Sequence, residues 1–227
     1  MRIITDKSSI SNSTYNIATI GYFDGIHLGH KKILKDLVSQ ANNKGGKSIL
    51  ITFWPHPRNI LNPSTSVELL LSNTDKHQYI EKLGVDVLYI IEFTKDLSKM
   101  SAHSFIENFL IKKLKINKLI IGYNHSFGHK REGNFIFLKK NKEKYDFEIQ
   151  EVKKKEIDKK LNISSSSIRE EIRNGNIKNA NKMLGYNYYI IGEVIKGDGI
   201  GTEINYPTAN IKPYDDSKLI PSNGVFI

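Results

Sequence analysis

Two histidines near the N-terminus carry the clearest chemical pattern in the chain. His27 and His30 lie in the segment GYFDGIHLGH, which runs from Gly21 to His30. Two imidazoles separated by two residues can converge on one anion, and Gly25 and Gly29 let backbone N–H groups come close to a phosphate. Each ring can donate a hydrogen bond to charge that builds up on a phosphoryl group. The pattern therefore indicates phosphoryl or nucleotidyl transfer.

The elements around this segment place the histidines at a strand-to-helix junction. An apolar run from Ile17 to Ile20 precedes them, and an amphipathic stretch follows, with apolar residues at Ile33, Leu34, Leu37, Val38 and Ala41. Such a junction is where α/β proteins bind nucleotides. Two alternatives are a pair of loop or helix-cap histidines and a zinc site. The zinc site is disfavoured because the chain has no cysteine and no third ligand at metal spacing.

A second polar cluster lies at residues 164–167, where four serines precede Ile168 and Arg169. The hydroxyls and free N–H groups of such a helix start can hold a triphosphate, and Arg169 offers a bidentate fork to it. The alternative is a helix cap with Arg169 on the surface near Glu170 or Glu171.

Three further residues follow apolar strands or belong to the histidine segment. Asn124 follows Leu119 to Ile121, where its amide can bond ribose or phosphate, although asparagine is also a common turn former. Pro55 and Pro57 predict an extended backbone at His56. His56 itself either assists phosphate binding or belongs to a structural loop. Asp24 either forms an Asx turn beside the binding site, which is favoured, or approaches a metal-bound nucleotide with its carboxylate.

Five segments together resemble one protein family. GYFDGIHLGH resembles the HxGH signature of nucleotidyltransferases and, in this longer form, the adenylyltransferase module of bacterial bifunctional riboflavin kinase/FAD synthetases. Three more blocks match that family in its order: ITFWPHPR (51–58), IGYNHSFGHKREGN (121–134) and ISSSSIREEI (163–172). A fifth, GEVIKGDGIGTEINYPTAN (192–210), resembles the opening of the riboflavin kinase module.

The resemblance implies a reaction and assigns roles to residues. FMN would attack ATP, which carries Mg²⁺, to give FAD and pyrophosphate without a covalent enzyme intermediate. The implied catalytic residues are His27, His30, Ser166 and Arg169. The implied nucleotide-binding residues are Gly21, Phe23, Asp24, Gly25, Gly29, Gly122, Asn124, Ser164 and Ser165. His56 and Arg131 are candidates for binding the flavin or a phosphate.

The C-terminal block resembles only part of a kinase module. Gly197 and Gly201 bound a flexible turn, and Thr208 and Asn210 resemble the family's magnesium and ATP contacts. Two residues depart from the family pattern, Thr202 in place of a basic residue and Asn205 in place of glycine. The given sequence ends at Ile227, before the family's β-barrel closes and before its catalytic glutamate. We therefore expect no riboflavin kinase activity.

Composition agrees with a cytoplasmic enzyme. The 227 residues are 39% hydrophobic, enough for a core, and the lack of cysteine excludes disulfides and thiolate catalysis. The sequence has no N-terminal apolar segment and no stretch typical of a membrane span. A net charge of +10 suits ATP and FMN and also a nucleic-acid surface. The lysine runs at 139–144 and 153–160 are predicted to be solvated faces, so no nucleic-acid partner is expected.

The hydrophobic pattern predicts a doubly wound α/β fold with a parallel sheet. Predicted strands are 15–21, 47–54, 85–93, 118–123 and 147–152, and predicted helices are 29–42, 74–83, 102–114, 135–144, 166–174 and 177–184. After residue 184 the pattern changes to strand, from Tyr188 to Val194. We predict an adenylyltransferase domain at 1–184 and an incomplete kinase β-barrel at 185–227.

Two alternative functions remain at this point. One is another HxGH enzyme that adenylates phosphopantetheine or a nicotinate nucleotide, which the PTAN continuation disfavours. The other is an inactive nucleotide- or RNA-binding protein, suggested by the net charge. The oligomeric state stays open.

Overall fold

A computed structural model describes residues 1–5, 15–64, 67–152, 163–197, 205 and 208–223. Its main feature is a parallel sheet of six strands in the order β1-β4-β3-β2-β5-β6. The strands are β1 (Arg2–Thr5), β2 (Asn16–Ile20), β3 (Lys47–Trp54), β4 (Val87–Glu92), β5 (Lys118–Gly122) and β6 (Glu148–Val152). All five residues of β2 are buried, as expected for a central strand covered on both faces.

Helices cover both faces of this sheet. They are α1 (Leu28–Asn43), α2 (Pro57–Leu61), α3 (Asn73–Lys82), α4 (Lys95–Lys99), α5 (Ala102–Phe105), α6 (Phe135–Lys140), α7 (Ser165–Arg173) and α8 (Ile177–Leu184), and a π-helical segment, Ile106–Lys113, continues α5. One face packs against α5 and the π-helical segment, and the other against α1 and α3. The predicted doubly wound fold is therefore confirmed.

The strand order creates a crevice beside β2. This strand pairs with β3 on one side and with β5 on the other, and the chain reaches β3 directly through α1 but β5 only after β4. In doubly wound sheets a ligand binds outside the carboxyl ends of the strands at such a switch in strand order. The histidine segment leaves β2 at this point.

Each of the strands and long helices predicted from the sequence is present, and most ends are shifted by no more than two residues. Two differ by four residues, because α6 ends at Lys140 rather than 144 and the strand predicted from Tyr188 begins at Gly192. The prediction missed β1, in which one residue of four, Ile4, is buried, because a short edge strand shows little hydrophobic pattern. It also missed the short helices α2 and α4. Lys139, Lys140, Lys142 and Lys144 are exposed, as predicted, whereas the run at 153–160 lies outside the described residues.

After α8 the chain forms a second, small sheet. Gly185 ends α8 with φ +71, and a Cβ there would lie 2.5 Å from Leu28 Cδ2, so glycine is required. β7 (Gly192–Ile195) and β8 (Asn210–Pro213) pair antiparallel, in agreement with the predicted β-barrel segment. Leu219 returns to pack with α7 and α8. Within the described residues, no helix is long and apolar enough to span a membrane.

Candidate active site

A cavity of about 570 Å³ opens at the carboxyl ends of β2 and β5. It brings together residues from the four sequence blocks of the first 172 positions. Its lining includes Gly21, Phe23, Asp24, His27, Gly29, His30, His56, Gly122, Asn124, Arg131, Ser164, Ser165, Ser166 and Arg169. Of the residues predicted for the adenylyl-transfer site, Gly25 alone is not on this wall.

Gly25 acts in the turn that aims the histidines. The segment Asp24–Ile26 forms one 3₁₀ turn in which Gly25 has φ +78. A Cβ at Gly25 would lie 2.7 Å from Leu70 Cδ1, so both the backbone conformation and the space require glycine. The turn delivers His27 to the N-cap of α1, where its Nδ1 accepts a hydrogen bond from the His30 N–H at 3.3 Å.

The two imidazoles stack on each other in the cavity wall. Their ring centroids are 3.6 Å apart at an interplanar angle of 16°. Because His27 Nδ1 accepts a hydrogen bond, the neutral ring carries its proton on Nε2. His30 Nδ1 is buried and has no hydrogen-bond partner among the described residues. His27 Nε2 and His30 Nδ1 are therefore available to form hydrogen bonds with a ligand.

Both histidines are neutral at physiological pH. Burial lowers the pKa of His27 to about 4. Burial, and then the neighbouring His27 and Lys76, lower the pKa of His30 well below its usual value. Neutral rings of this kind can each donate one N–H hydrogen bond to a ligand.

The serine cluster forms the start of α7, as predicted. Ser164 is its N-cap, and a capping box joins Ser164 to Ser167. The Ser165 hydroxyl donates to the backbone oxygen of Asp24 at 3.0 Å. Ser166 is exposed to the cavity, and its N–H lies in the first helical turn, where no intrahelical acceptor exists. Hydroxyl and amide therefore face the space beside the histidines.

The structure corrects the sequence interpretation of Asp24. Its carboxylate forms no Asx turn but is buried, and it accepts hydrogen bonds from Leu70 N–H at 3.1 Å and from Leu71 N–H at 3.3 Å. Arg169 Nη2 donates to the same carboxylate. Burial raises the pKa of Asp24, and Arg169, both amides and Lys76 act in the opposite direction. The carboxylate is therefore a structural anchor across 145 residues of sequence.

Arg169 differs from both sequence interpretations. It is 9% exposed rather than on the surface near Glu170 or Glu171, and its Nε donates to Glu68 O at 2.7 Å. The expected free fork is thus partly occupied by protein acceptors. The side chain still lines the cavity, with its orientation fixed by these partners.

The block after β5 supplies the opposite wall. Asn124 is exposed at the cavity, and Arg131 Nε donates to Ser126 Oγ at 2.8 Å. A Cβ at Gly122 would lie 3.3 Å from Ile33 Cδ1, which keeps this strand end close to α1. Asn124, Ser126 and Arg131 also border a second cavity of about 360 Å³.

His56 is extended, as its flanking prolines predicted, with φ −58 and ψ 130. Its Nδ1 accepts from Arg58 N–H at 3.1 Å, so it caps the short helix α2. Its ring meets the Tyr22 ring edge-on at a centroid distance of 4.1 Å. His56 therefore has a structural role and a place on the cavity wall at once.

The kinase-like motif lies away from this cavity. Thr208 and Asn210 are exposed, and a Cβ at Gly197 would overlap the Asn210 amide. Gly201 lies outside the described residues. Among the residues that are described, no group of three or more His, Cys, Asp or Glu side chains is arranged to hold a metal ion.

Sequence reasoning missed several polar residues of the wall, among them Tyr22 and His125. Tyr22 has a buried hydroxyl, and His125 has a buried Nε2; neither atom has a hydrogen-bond partner in the described part of the chain. Burial raises the pKa of Tyr22, and burial followed by Arg131 lowers that of His125 to about 4. Both residues adjoin predicted ones, Gly21 and Asn124, and this adjacency was the available signal.

Comparisons with known proteins show which families the chain resembles. The FAD synthetase family model matches residues 9–167, and the riboflavin kinase family model matches residues 184–227. A bifunctional riboflavin kinase/FMN adenylyltransferase of Buchnera aphidicola is 37% identical over 227 residues, which are all of this chain and 72% of that protein. One from Listeria monocytogenes is 37% identical over 226 residues, 99% of this chain and 69% of that protein.

A solved structure has the same backbone fold. It is titled a macrolide-efflux protein from Streptococcus pneumoniae and superimposes with a TM-score of 0.86 at 28% identity. The match covers 99% of this chain and 73% of that one. The likeness therefore includes the residues that follow α8 as well as the six-stranded sheet.

The neutral state of His27 predicts a pH-dependent stability. In the unfolded chain the pKa of His27 is near 6.5. Between pH 6.5 and about 4 this ring is therefore protonated in the unfolded state but neutral in the folded state. The contribution of the neutral His27 ring to the free energy of unfolding is complete above pH 6.5 and is lost as the pH falls from 6.5 towards 4. From pH 7 to pH 5 the wild type should lose about 2 kcal/mol more unfolding free energy than His27→Asn, which keeps a short acceptor. Urea unfolding at both pH values measures this, and equal losses would contradict it.

Proposed function

This chain belongs to the FAD synthetase family, and we propose that it transfers the adenylyl group of ATP to FMN, giving FAD and pyrophosphate. The observation that carries the proposal is the shared cavity. His27 and His30, from the N-terminal block, face the same space as Ser166 and Arg169, which lie more than 130 positions later. A site with these donors suits transfer of a phosphoryl-type group.

The reaction asks for positioning and charge stabilisation. An oxygen of the FMN phosphate attacks the α-phosphorus of ATP in line, the bond from that phosphorus to the bridging oxygen breaks, and pyrophosphate leaves with the electron pair. Negative charge grows on the bridging and non-bridging oxygens. The N–H groups of the two neutral rings donate hydrogen bonds to these charged oxygens. Because the rings are largely buried, the local dielectric constant is low and such donors are most effective.

The start of α7 suits the triphosphate. Its first amides and the positive end of the helix dipole attract anions, and the Ser166 hydroxyl adds a donor. Arg169, held by Asp24 and Glu68 O, presents the rest of its guanidinium in a fixed orientation. Asn124 and Gly122, across the cavity, then contact the nucleoside part.

FMN would occupy the remaining side of the cavity. Arg131 and His56 are the candidates to meet its phosphate or ring, and His125, with its unpartnered Nε2, adds a third polar group. Burial, followed by Arg169, Arg58 and Lys76, lowers the pKa of His56 to about 4. It therefore binds as a neutral ring.

Mg²⁺ would enter with the nucleotide. Among the described residues that line the cavity, Asp24 is the only carboxylate. It is engaged by Arg169 and two amides, which makes it a poor metal ligand. Phosphate oxygens and water are the ligands that Mg²⁺ prefers in nucleotide sites. When bound, the ion neutralises triphosphate charge, and the protein residues named above position the nucleotide.

For domain organisation we propose a division at 184/185, with adenylyl transfer in the first part. Thr208 and Asn210 would be metal and nucleotide contacts of a kinase-type site. The expected lack of riboflavin kinase activity stays a prediction. Incubation with riboflavin, ATP and Mg²⁺ tests it separately from FAD formation.

The catalytic role of His30 can be tested by substitution. With FMN, ATP and Mg²⁺ the wild type should form FAD, and His30→Ala should lower kcat about 10²- to 10³-fold because one transition-state donor is lost. Chromatography of FAD and a pyrophosphate assay measure the rate. His129→Ala, an exposed histidine outside the cavity, is the matched control and should keep the wild-type rate.

Unchanged turnover in His30→Ala would remove that residue from the mechanism. Adenylation of phosphopantetheine or nicotinate mononucleotide in place of FMN would support another HxGH activity. Salt-sensitive RNA binding without pyrophosphate release would support the binding-protein alternative.

The position of the His27 ring can be tested at Gly29. A Cβ there would lie 3.1 Å from His27 Cε1 and 3.2 Å from Nδ1, closer than the stacked ring accommodates without moving. Gly29→Ala should therefore lower kcat about tenfold through misplacement of the ring. Its unfolding free energy should be equal or higher by up to about 1 kcal/mol, since alanine favours a helix.

The control for this variant is Ser39→Ala, an exposed position in α1. It gains helix propensity without touching the histidines and should leave kcat unchanged. A Gly29→Ala enzyme with wild-type kcat would show that the ring position does not govern the rate.

A further inference from the structure

A short C-terminal segment, residues 217–219, packs against Leu69 and Leu70, which follow one another just before α3. Leu69 N–H donates to Ser217 O at 2.6 Å, and Leu219 N–H donates to Leu69 O at 2.9 Å, which forms a parallel bridge between Leu69 and Lys218. Leu219 is fully buried beside Leu70 and the apolar residues of α7 and α8. The Tyr188 hydroxyl donates to Leu219 O at 2.5 Å. The segment is thus fixed on the first domain.

Lys218 makes an unusual contact within this segment. Its side chain is buried, and its ammonium donates to Leu70 O and lies 4.1 Å from the centroid of the Tyr188 ring. A buried ammonium is costly unless its donors are used. Burial lowers the pKa of Lys218 to about 8, and Asp24, Asp75 and Asp215 act against this. The residue therefore occupies a specific electrostatic site rather than a solvated surface.

The peptide group that Lys218 contacts has a second charged neighbour. The carbonyl of Leu70 and the N–H of Leu71 belong to one peptide unit, and that N–H donates to Asp24 Oδ1 at 3.3 Å. An ammonium and a carboxylate thus bind opposite ends of the same amide. Each bond polarises the amide and strengthens the other. This peptide is held in one orientation from both sides.

The same short segment also holds Arg169. Glu68 O accepts from Arg169 Nε at 2.7 Å, and Asp24 accepts from Arg169 Nη2. A shift of residues 68–71 would therefore move both anchors of the guanidinium that lines the cavity. The chain of contacts runs from Lys218 through the Leu70–Leu71 peptide to Asp24 and Arg169.

We propose that Lys218 is a positioning residue for nucleotide binding, through which the C-terminal region completes the adenylyl-transfer site. Lys218 and Asp24 clamp the Leu70–Leu71 peptide, and this clamp fixes Arg169 for the triphosphate. The inference rests on the proposed function for the identity of the nucleotide. The ligand is a nucleoside triphosphate, which binds in the cavity lined by the two histidines, Ser166 and Arg169.

The test compares Lys218→Met with Lys218→Arg in the full chain. Methionine keeps an apolar stem over Tyr188 but removes the ammonium, and arginine keeps a cationic donor. The probe is the non-reacting analogue α,β-methylene-ATP with Mg²⁺, measured by calorimetry, together with KM and kcat for FAD formation. Lys212→Met, an exposed lysine of β8, is the control.

Lys218→Met should weaken analogue binding and raise the KM for ATP about tenfold or more, the loss expected for one charge-assisted hydrogen bond. The KM for FMN should change less than threefold and kcat little, because uniform nucleotide binding is what is lost. Lys218→Arg should restore most of the affinity. Lys212→Met should match the wild type.

A folded Lys218→Met protein with wild-type affinity for the analogue would overturn the proposal. If that variant does not fold, Lys218→Gln decides, since it keeps a polar side chain but removes the ammonium that donates to Leu70 O. Its affinity should fall in the same direction, and wild-type affinity would overturn the proposal. Failure of the wild type to form FAD would reject the proposed function, whereas the binding data still decide the role of Lys218.

Discussion

One buried carboxylate holds the candidate site together. Asp24 accepts from the amides of Leu70 and Leu71 and from Arg169, so three distant parts of the chain meet at two oxygen atoms. A buried charge is destabilising unless such partners are present. Once the sheet is formed, this requirement draws the turn after β2, the segment before α3 and helix α7 to one point.

The geometry of the histidines follows from that convergence. The turn that contains Asp24 ends at His27, and α7, which contains Arg169, begins with the serines that face the rings. Ser165 also donates to the Asp24 backbone, which fixes the spacing between these two elements. The parallel sheet supplies the crevice, and the ion pair sets which polar groups share it. Burial then keeps the rings neutral.

Local signals were sufficient to predict much of this arrangement. The apolar run before Gly21 and the amphipathic pattern after His30 predicted the junction, and four adjacent serines predicted a helix start. The role of the Asp24 carboxylate was not predictable in this way, because an aspartate beside glycine has an equally good local alternative in an Asx turn. Its real partners lie 46 and 145 residues away. Lys218 was missed for the same reason, since only packing buries it.

The ion pair is tested most directly by a double-mutant cycle of Asp24→Asn and Arg169→Gln, with unfolding free energy measured by urea denaturation. If the two side chains act as one unit, each single change leaves a buried group unpaired and the second change adds little. The expected coupling is about 2 kcal/mol or more. Single effects that add to within about 0.5 kcal/mol would contradict the account, because Asp24 and Arg169 would then not depend on each other.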